Sequence, residues 1–147
     1  TNNYVAETHE AASMFATAFI GILEPKHGKL IYINAGNEPA LIVDTNGHVK
    51  TELTSTGPVI GAISGAKFSV KEVNLSDDEL LIAFTDGIPD TLNSNGEFFG
   101  KEKMLEILKS HKTKPTDFVN KMEETLQTFI GEADQFDDIT LLAIKKM

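Results

Sequence analysis

The sequence predicts an α+β fold, and three observations carry that reading. Short β-rich segments separated by turn residues fill the first half of the chain, two helical periodicities follow, and one more apolar strand closes it. Leu80-Leu81-Ile82-Ala83-Phe84 is a continuous apolar run that stops at Thr85-Asp86-Gly87, the pattern of a strand buried on both faces. Phe118, Met122, Leu126 and Phe129 recur at spacings of four, four and three, the stripe of an amphipathic helix.

In chain order, Tyr4 to Ala12 reads as the end of a helix, and Met14 to Glu24 as a long, largely buried strand. Pro25-Lys26-His27-Gly28 turns the chain, so Leu30 to Ala35 returns as a hairpin partner. Apolar residues at both alternating sets of positions predict that this partner is covered on both sides. Gly36-Asn37-Glu38-Pro39 breaks the sheet; Ala40 to Asp44 and Val49 to Leu53 follow as strands around an Asn46-Gly47 turn, and the four together predict an antiparallel meander. Phe68, Val70, Val73 and Leu75 mark a further strand. Asp77-Asp78-Glu79 is expected as a surface turn into the central strand, with Asp77 in the left-handed conformation that Asp tolerates.

After Gly87 an irregular loop runs to Gly100. A helix is predicted from Lys101 to about Lys112, with Met104, Leu105 and Leu108 facing the core. A second is predicted from Pro115 to Ile130. Pro115 suits its first turn, Asp117 the positive end of its dipole, and Gly131 the position just past its end. An acidic loop, Glu132 to Asp138, leads into the closing strand Ile139 to Ile144.

Composition narrows the function classes. A chain of 147 residues with 41% hydrophobic and 24% charged content suits one domain with a real core. The net charge of −9 excludes nucleic acid as the main partner, since nothing would neutralise a phosphate backbone. With no Cys, disulfides and thiolate metal sites are excluded. His9, His27, His48 and His111 are scattered and form no nucleophile–base pattern. No membrane insertion is expected: the longest apolar stretch, Met14 to Leu23, is interrupted by Thr17 and is about half the ~20 residues of a spanning helix. A cytoplasmic location follows as the expectation.

The acidic residues carry the chemistry. Asp86 leaves one strand, and Asp137 and Asp138 enter another. If those strands lie side by side and antiparallel, the carboxylates converge, and converging carboxylates repel unless protonated or bridged by cations. Hard oxygen donors select Mg²⁺ or Mn²⁺. Taken singly, a Thr-Asp-Gly is an ordinary turn and an Asp-Asp an ordinary solvated loop. No Gly-x-Ser-x-Gly, Walker or Rossmann pattern is present.

Five motifs recur in the order and rough spacing of one family: Met14-Phe15-Ala16-Thr17-Ala18-Phe19, Ala35-Gly36-Asn37-Glu38-Pro39, Thr85-Asp86-Gly87, Gly96-Glu97-Phe98-Phe99-Gly100 and Gln135-Phe136-Asp137-Asp138-Ile139-Thr140. Over essentially its whole length the chain resembles the stage II sporulation protein E type of metal-dependent serine/threonine phosphatase, a branch of the type-2C fold. The resemblance implies two layered antiparallel β-sheets flanked by helices, with a two-metal centre at one end of the sandwich. It implies a single phosphatase-like domain over 1–147, the C-terminal portion of the family fold without its first strands and helix. Asp86 and Asp137 are implied as catalytic metal ligands, with Asp138 their neighbour at the metal, and two Mn²⁺ or Mg²⁺ ions per complete site. The implied reaction is hydrolysis of phosphoserine or phosphothreonine by a metal-activated water, on a phosphorylated regulatory protein of the anti-sigma-factor-antagonist type.

The chain departs from the family pattern in three places. The upstream Asp-x-x-Gly-x-Gly-like metal segment is not within it, so it supplies about half a site and is expected to be inactive or weakly active alone. Asn37-Glu38 stand where the family has His-Asn, and Asp77-Asp78 where it has Gly-Asp. Uncovered sheet edges are expected to make the chain dimerise, exchange elements or precipitate. Two rival readings stay open: a non-catalytic phosphatase-like module that binds a regulatory partner without hydrolysis, and an unrelated acidic α+β binding domain.

Overall fold

The computed structural model describes residues 1–8, 14–110, 114–135 and 137–147. In chain order its elements are α1 (Asn2–Thr8), β1 (Ala18–Glu24), β2 (Lys29–Ala35), β3 (Ala40–Val43), β4 (Val49–Leu53), β5 (Lys71–Asn74), β6 (Leu80–Phe84), α2 (Gly100–Ser110), α3 (Pro115–Ile130) and β7 (Leu141–Lys145). Two antiparallel sheets with helices make this the expected α+β fold. Contacts gather the chain into two compact units, Thr1–Ala40 with Leu53–Leu75, and Leu41–Glu52 with Ser76–Met147.

The first unit is built on the sheet β1-β2-β5. β1 and β2 form a hairpin with Gly21 opposite Tyr32. Alternation places Leu30, Tyr32 and Asn34 on one face of β2, all buried, and Phe19 stacks on Tyr32 at 5.5 Å between centroids. A fully buried amide needs partners, and Asn34 has them: Nδ2 donates to the Leu53 carbonyl (3.1 Å), and Oδ1 accepts the Asn37 N–H (2.9 Å).

The opposite face of the sheet corrects two expectations. The strand predicted from Met14 starts at Ala18, and it is largely exposed, with Ile20 53% and Ile22 72% accessible. Ile31 is exposed as well, whereas Ile33 is half-buried and Ala35 fully buried, so the second face of β2 is covered only toward its C-terminal end. A run of apolar residues reports what a strand could bury, whereas burial itself depends on what the rest of the fold lays against it. The meander is also corrected. β1 and β2 belong to one sheet, and β3 and β4 to the other. The chain leaves the first sheet through Gly36, at φ 75°, where any Cβ would run into Val59.

The second unit holds the sheet β4-β3-β6-β7. Leu80, Ile82 and Phe84 of β6 join Leu41 and Val43 of β3, and together they pack on Met104 and Leu108 of α2 and Phe118, Met122 and Leu126 of α3. Leu81 is buried too, so the central strand is covered on both faces, as its unbroken apolar run predicted. α3 has its predicted limits, with Pro115 in the first turn and the Gly131 N–H capping the Gln127 carbonyl. The closing strand begins at Leu141, two residues later than expected. Residues 9–12 and 111–112 of the two other expected helices, with His9 and His111, lie outside the described residues.

Lysines compensate the acids at the entry to β6. Asp78, not Asp77, is left-handed at φ 66°, because its N–H is committed to the carbonyl of distant Lys146 (2.8 Å). Glu79 is no surface residue. It is 7% exposed, lies 2.6 Å from Lys50 Nζ and accepts the Ser76 N–H. Lys145 pairs with Asp78 and Lys146 with Asp77. Among the described residues, no helix is long and apolar enough to cross a membrane.

Two measurements check this packing. Phe118 is wholly buried, so Phe118→Ala is expected to lower the unfolding free energy by about 3–5 kcal/mol in urea titrations. In the β3–β4 turn the Asp44 carboxylate accepts the N–H groups of His48 (2.9 Å) and Asn46 (2.8 Å), and these bonds, His48 first, hold its pKa below the usual carboxylate value. A depressed folded-state pKa stabilises above the ordinary carboxylate range, and that contribution fades as pH falls through the lowered value. Asp44→Asn keeps an acceptor oxygen and loses the charge. It should therefore unfold at lower urea than the parent at pH 7 and converge on it below about pH 4.

Candidate metal centre

The pairing of β6 with β7 sets the geometry of the acidic residues. The strands are antiparallel neighbours with Phe84 opposite Leu141, so the end of β6 lies beside the start of β7. Past the strand ends the pairing continues through one threonine. The Thr85 N–H donates to the Thr140 carbonyl (3.1 Å), the Thr85 hydroxyl oxygen accepts the Thr140 N–H (3.0 Å), and the hydroxyl donates to the Asp138 carbonyl (3.0 Å). Gly87 then lies so close to Asp138 that an added Cβ would strike its carbonyl group. The glycine of Thr-Asp-Gly is there for this approach.

Beyond Thr85 the backbone winds into turns. Ile88 N–H reaches the Thr85 carbonyl, Asp90 N–H the Asp86 carbonyl (2.9 Å), and the buried Thr91 hydroxyl donates to the Gly87 carbonyl (2.6 Å). These bonds fix the backbone under Asp86 and leave its side chain exposed. On the facing segment, Gln135 Nε2 donates to the Asp137 carbonyl (2.8 Å), and Asp137 Oδ1 accepts the Asp138 N–H (2.7 Å), which orients that carboxylate. Asp137 and Asp138 are exposed too, and Phe136 lies outside the described residues. The structure thus brings the backbone bearing Asp86 against that bearing Asp138, with Asp137 one residue further on.

The two ends of β6 differ in charge compensation. At its entry, three lysines pair with Asp77, Asp78 and Glu79. At its exit, among the described residues, Asp86, Asp137 and Asp138 take part in no salt bridge. Exposed carboxylates on adjoining segments raise the local affinity for cations. In kind, this donor set fits Mg²⁺ or Mn²⁺. In number it falls short, because no group of three or more His, Cys, Asp or Glu able to hold a metal is found among the described residues.

Sequence reasoning missed Thr85 as the tie between the two segments, and Gln135 as a brace on the acidic loop. Only the place of Thr85 within Thr-Asp-Gly hinted at it. A cavity of about 370 Å³ lined by Ile88, Met122, Leu126, Ile139 and Leu141 lies beside the loop, but none of the three aspartates lines it.

This architecture is that of the type-2C protein phosphatases. The solved SiaA-PP2C domain of Pseudomonas aeruginosa matches with a TM-score of 0.68 and 25% identity, over 82% of this chain and 47% of that one. The chain belongs to the Stage II sporulation protein E (SpoIIE) family, whose sequence model matches residues 1–146. It is 37% identical to Protein IcfG of Synechocystis over 144 residues, 98% of this chain and 23% of that protein. It is 22% identical to the phosphoserine phosphatase RsbU of Bacillus subtilis over 145 residues, 98% of this chain and 43% of that one. The chain therefore spans less than half the length of these curated relatives.

Two substitutions test the junction. Thr85→Val removes the bridging hydroxyl and should cost about 1 kcal/mol in urea unfolding. Gly87→Ala forces a methyl against the Asp138 backbone and should cost more than Thr85→Val. Equal stability of Gly87→Ala and the parent would contradict the close approach.

Proposed function

We propose that this chain is part of a metal-dependent protein serine/threonine phosphatase that dephosphorylates a regulatory protein in a bacterial cytoplasmic signalling pathway. The observation that supports this reading is the uncompensated acidic junction between β6 and β7, in a chain whose family relatives include a phosphoserine phosphatase. Asp86 and Asp137 are the metal ligands in this reading, and Asp138 is their neighbour.

A phosphate dianion approaching a chain of net charge −9 meets repulsion, most of all beside three exposed carboxylates. Mn²⁺ or Mg²⁺ held by Asp86 and Asp137 would supply the positive charge to offset this repulsion and would lower the pKa of a water it bound. The chain's own residues provide the frame. Asp86 and Asp137 offer oxygens from two adjoining segments, Thr85 sets their spacing, and Gly87 keeps the approach clear. This chain offers no Cys to carry a cysteinyl-phosphate intermediate.

One observation favours the second reading, a phosphatase-like module that binds a phosphorylated regulator without hydrolysis: the donors described are fewer than a self-sufficient metal site requires. Two assays separate the readings. Mn²⁺ titration of the chain, followed by the paramagnetic resonance of free ion, should show saturable binding that Asp86→Asn weakens at least about tenfold. Asp137→Asn should weaken it more than Asp138→Asn. Phosphate release from a phosphoserine peptide in Mn²⁺, by this chain within its natural polypeptide, should be lost in Asp86→Asn. Unchanged turnover in that variant rejects the assigned role. Metal-dependent retention of the phosphopeptide without release selects the non-catalytic module.

A further inference from the structure

Among the described residues three polar side chains are buried: Asn34, Glu79 and Thr91. Partners elsewhere in the chain explain the first two, backbone groups for Asn34 and Lys50 for Glu79. Thr91 instead commits its polar groups to the loop that it belongs to. Its hydroxyl donates to the Gly87 carbonyl (2.6 Å), its N–H reaches the Ile88 carbonyl (3.3 Å), and its carbonyl accepts the Phe99 N–H (2.8 Å). Phe99 is in turn buried in the core and meets the Phe129 ring edge-on at 5.3 Å. Thr128 makes the same bond, hydroxyl to the carbonyl four residues back (2.8 Å), at an exposed position of α3 where the helix already orients that carbonyl. Residues 85–91 belong to no helix, so at Thr91 the hydroxyl has that task to itself.

We propose that Thr91 is a positioning residue for Asp86, an inference that rests on the metal-ligand role proposed above for that aspartate. The need for it arises at Gly87. The close approach to Asp138 requires a residue without a Cβ, and such a residue has the least restricted backbone of any. Directly after a metal ligand, that freedom would let the carboxylate wander. Two bonds remove it, one for each peptide plane that follows Asp86. The Asp90 N–H holds the Asp86 carbonyl (2.9 Å), and the Thr91 hydroxyl holds the Gly87 carbonyl. A buried threonine suits the second task, because branching at Cβ restricts its rotamers and burial keeps water from competing for the bond. A carboxylate already held in place loses less entropy when it takes a cation, which raises affinity without any contact between Thr91 and the ion.

Mn²⁺ titration, followed by the paramagnetic resonance of free ion, and amide exchange of the metal-free chain together test this role. Thr91→Val keeps the shape and removes the hydroxyl. It should weaken Mn²⁺ binding about threefold or more, and less than Asp86→Asn does. Without metal, the Ile88 N–H shares its peptide plane with the Gly87 carbonyl. In Thr91→Val it should exchange at least about tenfold faster relative to the Ile82 N–H of β6, which reports overall opening. Thr91→Ser retains the hydroxyl and should match the parent in both readings, as should Thr128→Val. Should Thr91→Val not fold, Thr91→Ala carries the same comparison with Thr91→Ser. A merely structural threonine would lower the urea midpoint and leave the Mn²⁺ affinity of the folded chain unchanged, and that outcome overturns the proposal. So does a Thr91→Ser chain that binds Mn²⁺ as weakly as Thr91→Val, since packing then accounts for the effect. Asp86→Asn keeps the two claims apart. If it weakens Mn²⁺ binding and Thr91→Val does not, Asp86 stays a ligand and the role of Thr91 falls. If Asp86→Asn binds like the parent, the metal-site reading falls and this inference with it.

Discussion

The structure of the second unit depends on the antiparallel pairing of β6 with β7, prolonged past both strand ends by the Thr85 hydroxyl. Backbone pairing alone would bring the segments together and then let the acidic loops drift apart, since exposed carboxylates on adjoining segments repel. One side chain that both donates and accepts holds them. The hydroxyl spans the Asp138 carbonyl and the Thr140 N–H, and the missing Cβ of Gly87 allows the final approach. Serine could make the same hydrogen bonds; a larger residue at Gly87 could not fit.

The central strand links this junction to the core. Leu80, Ile82 and Phe84 anchor β6 against α2 and α3, so the residue that follows them is delivered from a rigid element. Charge is distributed unevenly along the same strand. Lys50, Lys145 and Lys146 pair with the acids at its start, and no lysine pairs with those at its end among the described residues. The exposed carboxylates of Asp86, Asp137 and Asp138 therefore stand on adjoining segments without an ion-pair partner among the described residues, which is the asymmetry the proposed cation site rests on.

What could be read from sequence divides along local and non-local lines. The limits of α3 follow from Pro115, Gly131 and a strict stripe, all local signals, and the structure reproduces them. The double burial of β6 was legible because five consecutive apolar residues admit few other environments. The exposure of β1 was not, because Ile20 and Ile22 are as apolar as any core residue, and they differ from one only in that none of the described residues covers them. The assignment of Asp77 as left-handed failed for a similar reason: the choice between Asp77 and Asp78 is made by the carbonyl of Lys146, far away in sequence. Glu79 follows two surface acids in sequence, and its burial is set by Lys50 on another strand. At the acidic junction, sequence motifs located the right segments. The role of Thr85 in joining them depends on its hydroxyl meeting Asp138 and Thr140, more than fifty residues away in sequence.

The central claim is that Asp86 and Asp137 share a cation, and anomalous scattering at the manganese edge from crystals of the chain grown with saturating Mn²⁺ tests it most directly. The account predicts a peak at the β6–β7 junction, within about 2.0–2.6 Å of a carboxylate oxygen from each of the two aspartates. A peak elsewhere, or none at the junction while manganese occupies other sites, would contradict it.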